Sequence, residues 1–140
     1  MRSNKGFTLV ELLVVVTLLG ILVAMVVPRL AGRTEQARKA RAQADVQGNL
    51  PLALDMFELD TGNYPTSEQG IASLRVLPPG VENWRGPYLK REPVDPWGRP
   101  YRYVFQGPHN PQDYDLFSVG PDGAEGTSDD LGNWDKDKQV

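Results

Sequence analysis

Carboxylates carry most of the chemistry available to this chain. Asp122, Glu125, Asp129 and Asp130 fall within nine residues, interleaved with Gly123 and Gly126. The glycines let backbone carbonyls turn inward beside the carboxylates, and hard oxygen ligands of this kind suit calcium. The spacing is not that of an EF-hand loop. Composition alone leaves two readings open here, a solvated acidic tail and a calcium loop. Elsewhere the chemistry is sparse. His109 is the one histidine, set in a Pro-rich turn, and the chain has no cysteine. A loop histidine without a second nitrogen or sulfur ligand nearby reads as solvated. Ser67 and Ser118 have no triad in the sequence around them, and no Gly-rich phosphate loop joins a strand to a helix. No catalytic site is expected.

One further carboxylate stands where a charge is costly. Glu11 is the only charged residue between Phe7 and Val27, in the run FTLVELLVVVTLLGILVAMVV. The run contains no proline and is apolar on every face, unlike the amphipathic helix of a soluble protein surface. As a helix it covers the roughly 30 Å of bilayer hydrocarbon, for which about 20 residues suffice. A membrane span is therefore expected, and an ionisable residue inside a span usually marks function. The run is too long for the core of a secretory signal, and Val26-Val27-Pro28 is a poor cleavage site.

The elements that must position these residues follow from the rest of the pattern. The 140 residues leave room for one globular domain beyond the span. A formal net charge of -3 argues against nucleic acid as a partner. Arg29, Arg33, Arg38, Lys39 and Arg41 follow the span and outnumber Arg2 and Lys5 before it, so the positive-inside rule alone would put the C-terminal part in the cytoplasm. Pro28 should kink the helix. From there to residue 60, Ala37, Ala40, Ala44, Val46, Leu50, Leu54 and Phe57 recur at helical spacing with polar residues between them, and Pro51 strains the pattern. Asp60-Thr61-Gly62-Asn63 ends this spine. Ile71–Leu74 is a short helical candidate that Ser67 could cap. Residues 78–100 read as an ordered loop around Trp84 and Trp97. Tyr101–Phe105 and Tyr114–Val119 have β-prone composition and suggest an antiparallel hairpin.

The first eleven residues also carry a likeness. Lys5-Gly6-Phe7-Thr8-Leu9-Val10-Glu11 resembles the processing motif of type IV pilins and their pseudopilin relatives. The stretches Leu59–Gly70, Asp95–Tyr101, Tyr114–Gly120 and Gly132-Asn133-Trp134 resemble the major pseudopilins of the bacterial type II secretion system. Pro51 departs from that pattern. The resemblance implies an α+β, pilin-like fold. Its long N-terminal helix, membrane-spanning in its first half, packs on a small antiparallel β-sheet, with a calcium loop near the C-terminus. The implied organisation is a leader at 1–6, a transmembrane and filament-core helix at 7–27, its amphipathic continuation at 28–60, and a periplasmic globular domain at 61–140.

Function and site residues are implied in the same way. The leader is cut after Gly6 by a prepilin peptidase, and the new N-terminal Phe7 is methylated. By spacing, Glu11 lies one helical turn from Phe7 and could pair with its own terminal amine or with a neighbour's, the intersubunit pair being favoured because it gives assembly a driving force and a register. Calcium (Ca2+) would be held by the side chains of Asp122, Asp129 and Asp130 and by the backbone carbonyls of Val119 and Ala124. Glu125 falls outside the family pattern. The chain would wait in the inner membrane, N-terminus in the cytoplasm, and polymerise into a helical periplasmic filament that exports folded proteins across the outer membrane. The implied partners are further copies of itself, minor pseudopilins and the inner-membrane assembly platform. This orientation overrides the Lys/Arg count, because the leader must meet a cytoplasm-facing protease. Three alternatives remain: a type IVa pilin, which commonly carries a disulfide that this chain lacks; a minor pseudopilin; and a membrane-anchored calcium or substrate-binding module that never polymerises.

Overall fold

The computed structural model describes residues 6–134 and, for residues 26–31, the backbone alone. The chain forms two compact units, residues 1–37 and 38–140. Helix α1 runs Leu9–Ala44, a π-helical turn occupies Asp45–Asn49, and α2 runs Leu50–Thr61. The helical bounds pass through Pro28, while the kink expected there falls among residues whose side chains lie outside the description.

In the first unit the apolar side chains have no cover. From Phe7 to Met25 the large hydrophobic residues are exposed, from 43% at Val15 to 82% at Leu9. Thr17 turns its hydroxyl back onto the Leu13 carbonyl at 2.7 Å, so its one polar group is satisfied within the helix. Among the described residues no helix is long and apolar enough to cross a membrane. The apolar run itself continues to Val27, past the last residue with described side chains before the gap.

The second unit is built on the helical residues after Arg38. Val46, Leu50, Ala53, Leu54 and Phe57 form one buried stripe and pack with Leu74, Tyr101, Tyr103, Tyr114 and Leu116, whereas Ala37, Ala40 and Ala44, expected on the same stripe, are exposed and Ala42 is buried instead. The strain expected at Pro51 is resolved just before it. The Leu50 N–H donates to the Asp45 carbonyl, five residues back. Such a turn is wider than an α-turn and gives the Pro51 ring the room that the Gln47 carbonyl would otherwise take. Pro51 then sits at the start of α2, where no N–H is needed. Gly62, at φ 88°, closes α2 by donating to Glu58 O at 2.7 Å.

Three antiparallel strands complete the unit: β1 (Arg102–Phe105), β2 (Tyr114–Ser118) and β3 (Leu131–Gly132), in that order. The expected hairpin pairs Arg102 with Phe117 and Phe105 with Tyr114. The third strand comes from the acidic segment, and two residues are too few to show alternation in sequence. Asn133 extends its pairing: its Oδ1 accepts from Leu116 N at 3.0 Å and its Nδ2 donates to Tyr114 O at 2.9 Å.

Ile71–Leu74 is a single 3-10 turn, and Ser67 does not cap it. Ser67 Oγ instead accepts from Phe105 N at 2.9 Å, tying the loop to the end of β1. The local capping exchange belongs to Thr66 and Gln69, each of whose backbone N–H groups donates to the other's side chain. Residues 78–100 form an ordered loop, as expected. Trp84 Nε1 donates to Ser73 O at 3.0 Å and Tyr88 N to Leu74 O at 2.7 Å. Both Trp84 and Trp97 are half-buried.

Candidate functional site: the N-terminal motif and the C-terminal acidic loop

The motif residues straddle a helix start. A Cβ placed at Gly6 would meet nothing within 4 Å, and Phe7 beside it is 80% exposed. Thr8 is the capping residue. Its hydroxyl accepts the backbone N–H of Glu11 at 3.2 Å, satisfying a donor that has no partner within the helix. Glu11 thus occupies the first turn of α1, near the positive end of the helix macrodipole. The sequence reading passed over Thr8, although Ser/Thr-x-x-Glu before an apolar run is itself a helix-start signature.

In the second unit, residues 119–130 fold into a loop closed by its own side chains. Asp122 Oδ1 accepts from Ala124 N at 2.9 Å, and Asp130 Oδ2 accepts from Gly126 N at 2.7 Å. Thr127 Oγ1 donates to Asp129 Oδ1 at 2.8 Å, and Asp122 N donates to Asp129 Oδ2 at 3.3 Å. The Thr127 hydroxyl, helped by the Asp122 N–H, holds the Asp129 carboxyl below the ordinary carboxylate value. Gly120, at φ 65°, lies against the Asp129 carbonyl, where no side chain would fit.

Burial sorts the expected calcium ligands. Val119 and Asp130 are buried, Asp129 is half-buried, and Asp122 and Ala124 are exposed, as is Glu125. Among the described residues no group of three or more acidic or histidine side chains is gathered closely enough to hold a metal ion. The donor chemistry nevertheless fits calcium. Asp130 Oδ1 is buried without any hydrogen-bond partner, an unmet acceptor that a hard cation would satisfy.

The roles of several residues around the loop emerge only in the fold. Asp95 is 2% exposed and organises the turn that follows it, accepting from Trp97 N and Arg99 N on one oxygen and from Ser118 Oγ, at 2.7 Å, on the other. Arg99 Nη1 in turn donates to Gly120 O at 2.6 Å. His109 is exposed, as expected of a solvated residue, yet its Nδ1 donates to Asp115 Oδ2 at 2.9 Å and its ring stacks on Trp134.

A helix start bearing Gly-Phe-Thr-x-x-Glu, an amphipathic helix laid on a three-stranded antiparallel sheet, and a Gly/Asp-rich C-terminal loop define a pilin-like subunit. Comparison with known proteins narrows the class. Residues 29–134 match the family described as type II secretion system (T2SS) protein G, and residues 1–27 match the prokaryotic N-terminal methylation motif. The type II secretion system core protein G of Pseudomonas aeruginosa is 47% identical, over 96% of this chain and 97% of the relative. That of Escherichia coli K12 is 46% identical, over 98% and 95%. The crystal structure of the major pseudopilin from the type 2 secretion system of enterohaemorrhagic E. coli superposes with a TM-score of 0.65 at 38% identity, covering 75% of this chain and 89% of that one.

The chain belongs to the type II secretion system protein G family, the major pseudopilins. It is a structural subunit of the pseudopilus of that secretion system, in a family of structural proteins rather than enzymes.

Proposed function

We propose that this subunit is anchored in the inner membrane by its apolar N-terminal run, with the leader in the cytoplasm and the unit from Arg38 onward in the periplasm. A peptidase cuts after Gly6, Phe7 becomes the N-methylated terminus, and subunits are drawn into a helical filament that drives folded proteins across the outer membrane. Further copies of the chain, minor pseudopilins and an inner-membrane assembly platform are the partners. One observation carries this reading: uncovered apolar side chains from Phe7 to Met25 in direct continuation of a processing motif. An apolar surface of that extent is stable only in lipid or against other subunits.

Glu11 serves assembly. Its carboxylate, one turn from Phe7, pairs with the terminal amine of a neighbouring subunit, and neutralising a charge in a low-dielectric core gives the incoming subunit a driving force and an axial register. Asp122, Asp129 and Asp130, with the carbonyls of Val119 and Ala124, would hold a calcium ion that orders the C-terminal loop. Bidentate binding or water supplies the remaining oxygens of the usual 6–8.

The test begins with the mass of the mature N-terminus. Wild-type protein should lack residues 1–6 and carry one methyl group, and Gly6→Val should retain the leader unmethylated. Glu11→Ala should be inserted and cleaved, yet yield no filaments and no secretion. Mature methylated protein from Gly6→Val, or normal filaments from Glu11→Ala, would contradict the corresponding step.

A further inference from the structure

Arg99 lies outside the acidic loop in sequence and against it in space. Its Nη1 donates to the Gly120 carbonyl at 2.6 Å. Its guanidinium passes so close to Gly123 that a Cβ there would stand 2.6 Å from both Cζ and Nη2. The backbone of Arg99 is fixed in turn. Its N–H donates to Asp95 Oδ1 at 2.8 Å, and its carbonyl accepts from Asp95 N at 2.7 Å. The other Asp95 oxygen accepts from Ser118 Oγ, which accepts from Gly120 N at 3.1 Å. Both backbone polar groups of Gly120 are thus held from one turn, the N–H through Ser118 and Asp95 and the carbonyl through Arg99. Asp95 and Ser118 are buried, at 2% and 0% exposure, so the anchor is rigid.

We propose that Arg99 is an internal cation for the acidic loop, positioning its entrance from Gly120 to Gly123 whether or not a metal is bound. The physical need is plain. Asp122, Glu125, Asp129 and Asp130 repel one another, and the chain has no disulfide to close the segment. A guanidinium offers several donors in a fixed plane, so it fixes the Gly120 carbonyl and the approach of Gly123 together. Gly123 is the complementary feature, since any side chain there would displace the guanidinium. Loop order then has two sources, one covalently attached and one exchangeable. The inference rests on the calcium reading only in the arm of the test where calcium is added.

Hydrogen exchange over residues 119–134 separates the two. The full chain in detergent is compared as wild type, Arg99→Gln and Arg99→Lys, each with calcium chloride and with EGTA. In EGTA the wild-type loop should exchange slowly. Arg99→Gln should exchange there about tenfold faster or more, the effect of losing one charged hydrogen bond, and Arg99→Lys should recover part of the protection. Exchange in β1 and β2 should be unchanged, which reports that the domain is folded. Equal loop protection in wild type and Arg99→Gln in EGTA overturns the proposal. So does a loss spread evenly over β1, β2 and the loop, because that is general destabilisation. Calcium restoring the Arg99→Gln loop supports both sources of order. Calcium slowing neither chain removes the calcium reading, and the EGTA comparison still decides the role of Arg99.

Discussion

The ring of His109 lies flat on the indole of Trp134, with centroids 3.8 Å apart and planes within 3°. The stack sits over a buried carboxylate. Asp115, 1% exposed, accepts from His109 N and Nδ1 on one oxygen, at 2.9 Å each, and from Asn110 N on the other. Phe117 packs edge-on against Trp134. The β1–β2 turn and Trp134, two residues past the end of β3, are thereby locked to the central strand.

Asp115→Ala should accordingly be among the costliest substitutions in the domain. It strands backbone donors of His109 and Asn110 and frees the histidine ring. We expect a loss of about 3 kcal/mol, against about 1 kcal/mol for His109→Ala, which leaves the carboxylate two of its donors. Denaturant unfolding of the two variants checks this, and equal losses would show that the carboxylate is not the centre of the network.

Base should unfold the domain through its tyrosines. Burial first, and then the carboxylate of Asp45 for Tyr101, pushes the phenol well above its ordinary value of 10.0. Tyr103 and Tyr114 are raised as well, again chiefly by burial. A raised folded-state pKa gives stability that is fully present below the unfolded value and lost as pH rises through the folded one. Stability should therefore hold up to about pH 10 and fall steeply above it. Unfolding free energies measured from pH 8 to 11 test this. A flat profile across pH 10 would mean that these phenols titrate alike in both states.

The π-helical turn predicts a rescue. Deleting Gly48 removes the extra residue of the wide turn and returns the Pro51 ring to an α-turn, at a cost of about 3 kcal/mol. Combining that deletion with Pro51→Ala should recover most of the loss. Thermal unfolding of the single and double variants decides it, and a deletion that is harmless while Pro51 remains would show that the turn has another origin.

Calcium should raise the melting temperature of the protein, and chelator should reverse the effect. Asp130→Ala and Asp122→Ala should abolish the shift, whereas Glu125→Ala should leave it intact. Asp130 is the sharper probe, because its Oδ1 is the buried acceptor without a partner. Retention of the full shift in Asp130→Ala would move the ion elsewhere.

By itself the sequence determined those features that repeat or that lie close along the chain. The apolar run, the stripe from Val46 to Phe57 and the β1–β2 hairpin are periodic, and periodicity survives without any knowledge of partners. The cluster from Gly120 to Asp130 was legible as a potential oxygen cage for the same reason, since its members are neighbours in sequence. Tertiary structure alone decided the rest. β3 is two residues long and exists because β2 offers it an edge and Asn133 continues the pairing. Ser67 is a poor cap and a good tie because Phe105, 38 residues away, presents its N–H there. His109 stays exposed, and its ring is held in place because a carboxylate and an indole from other elements meet it. Arg99 shows the limit most clearly: its stretch, Asp95–Tyr101, was legible as a family likeness, but its role arises only where folding brings Gly120 and Gly123 against it.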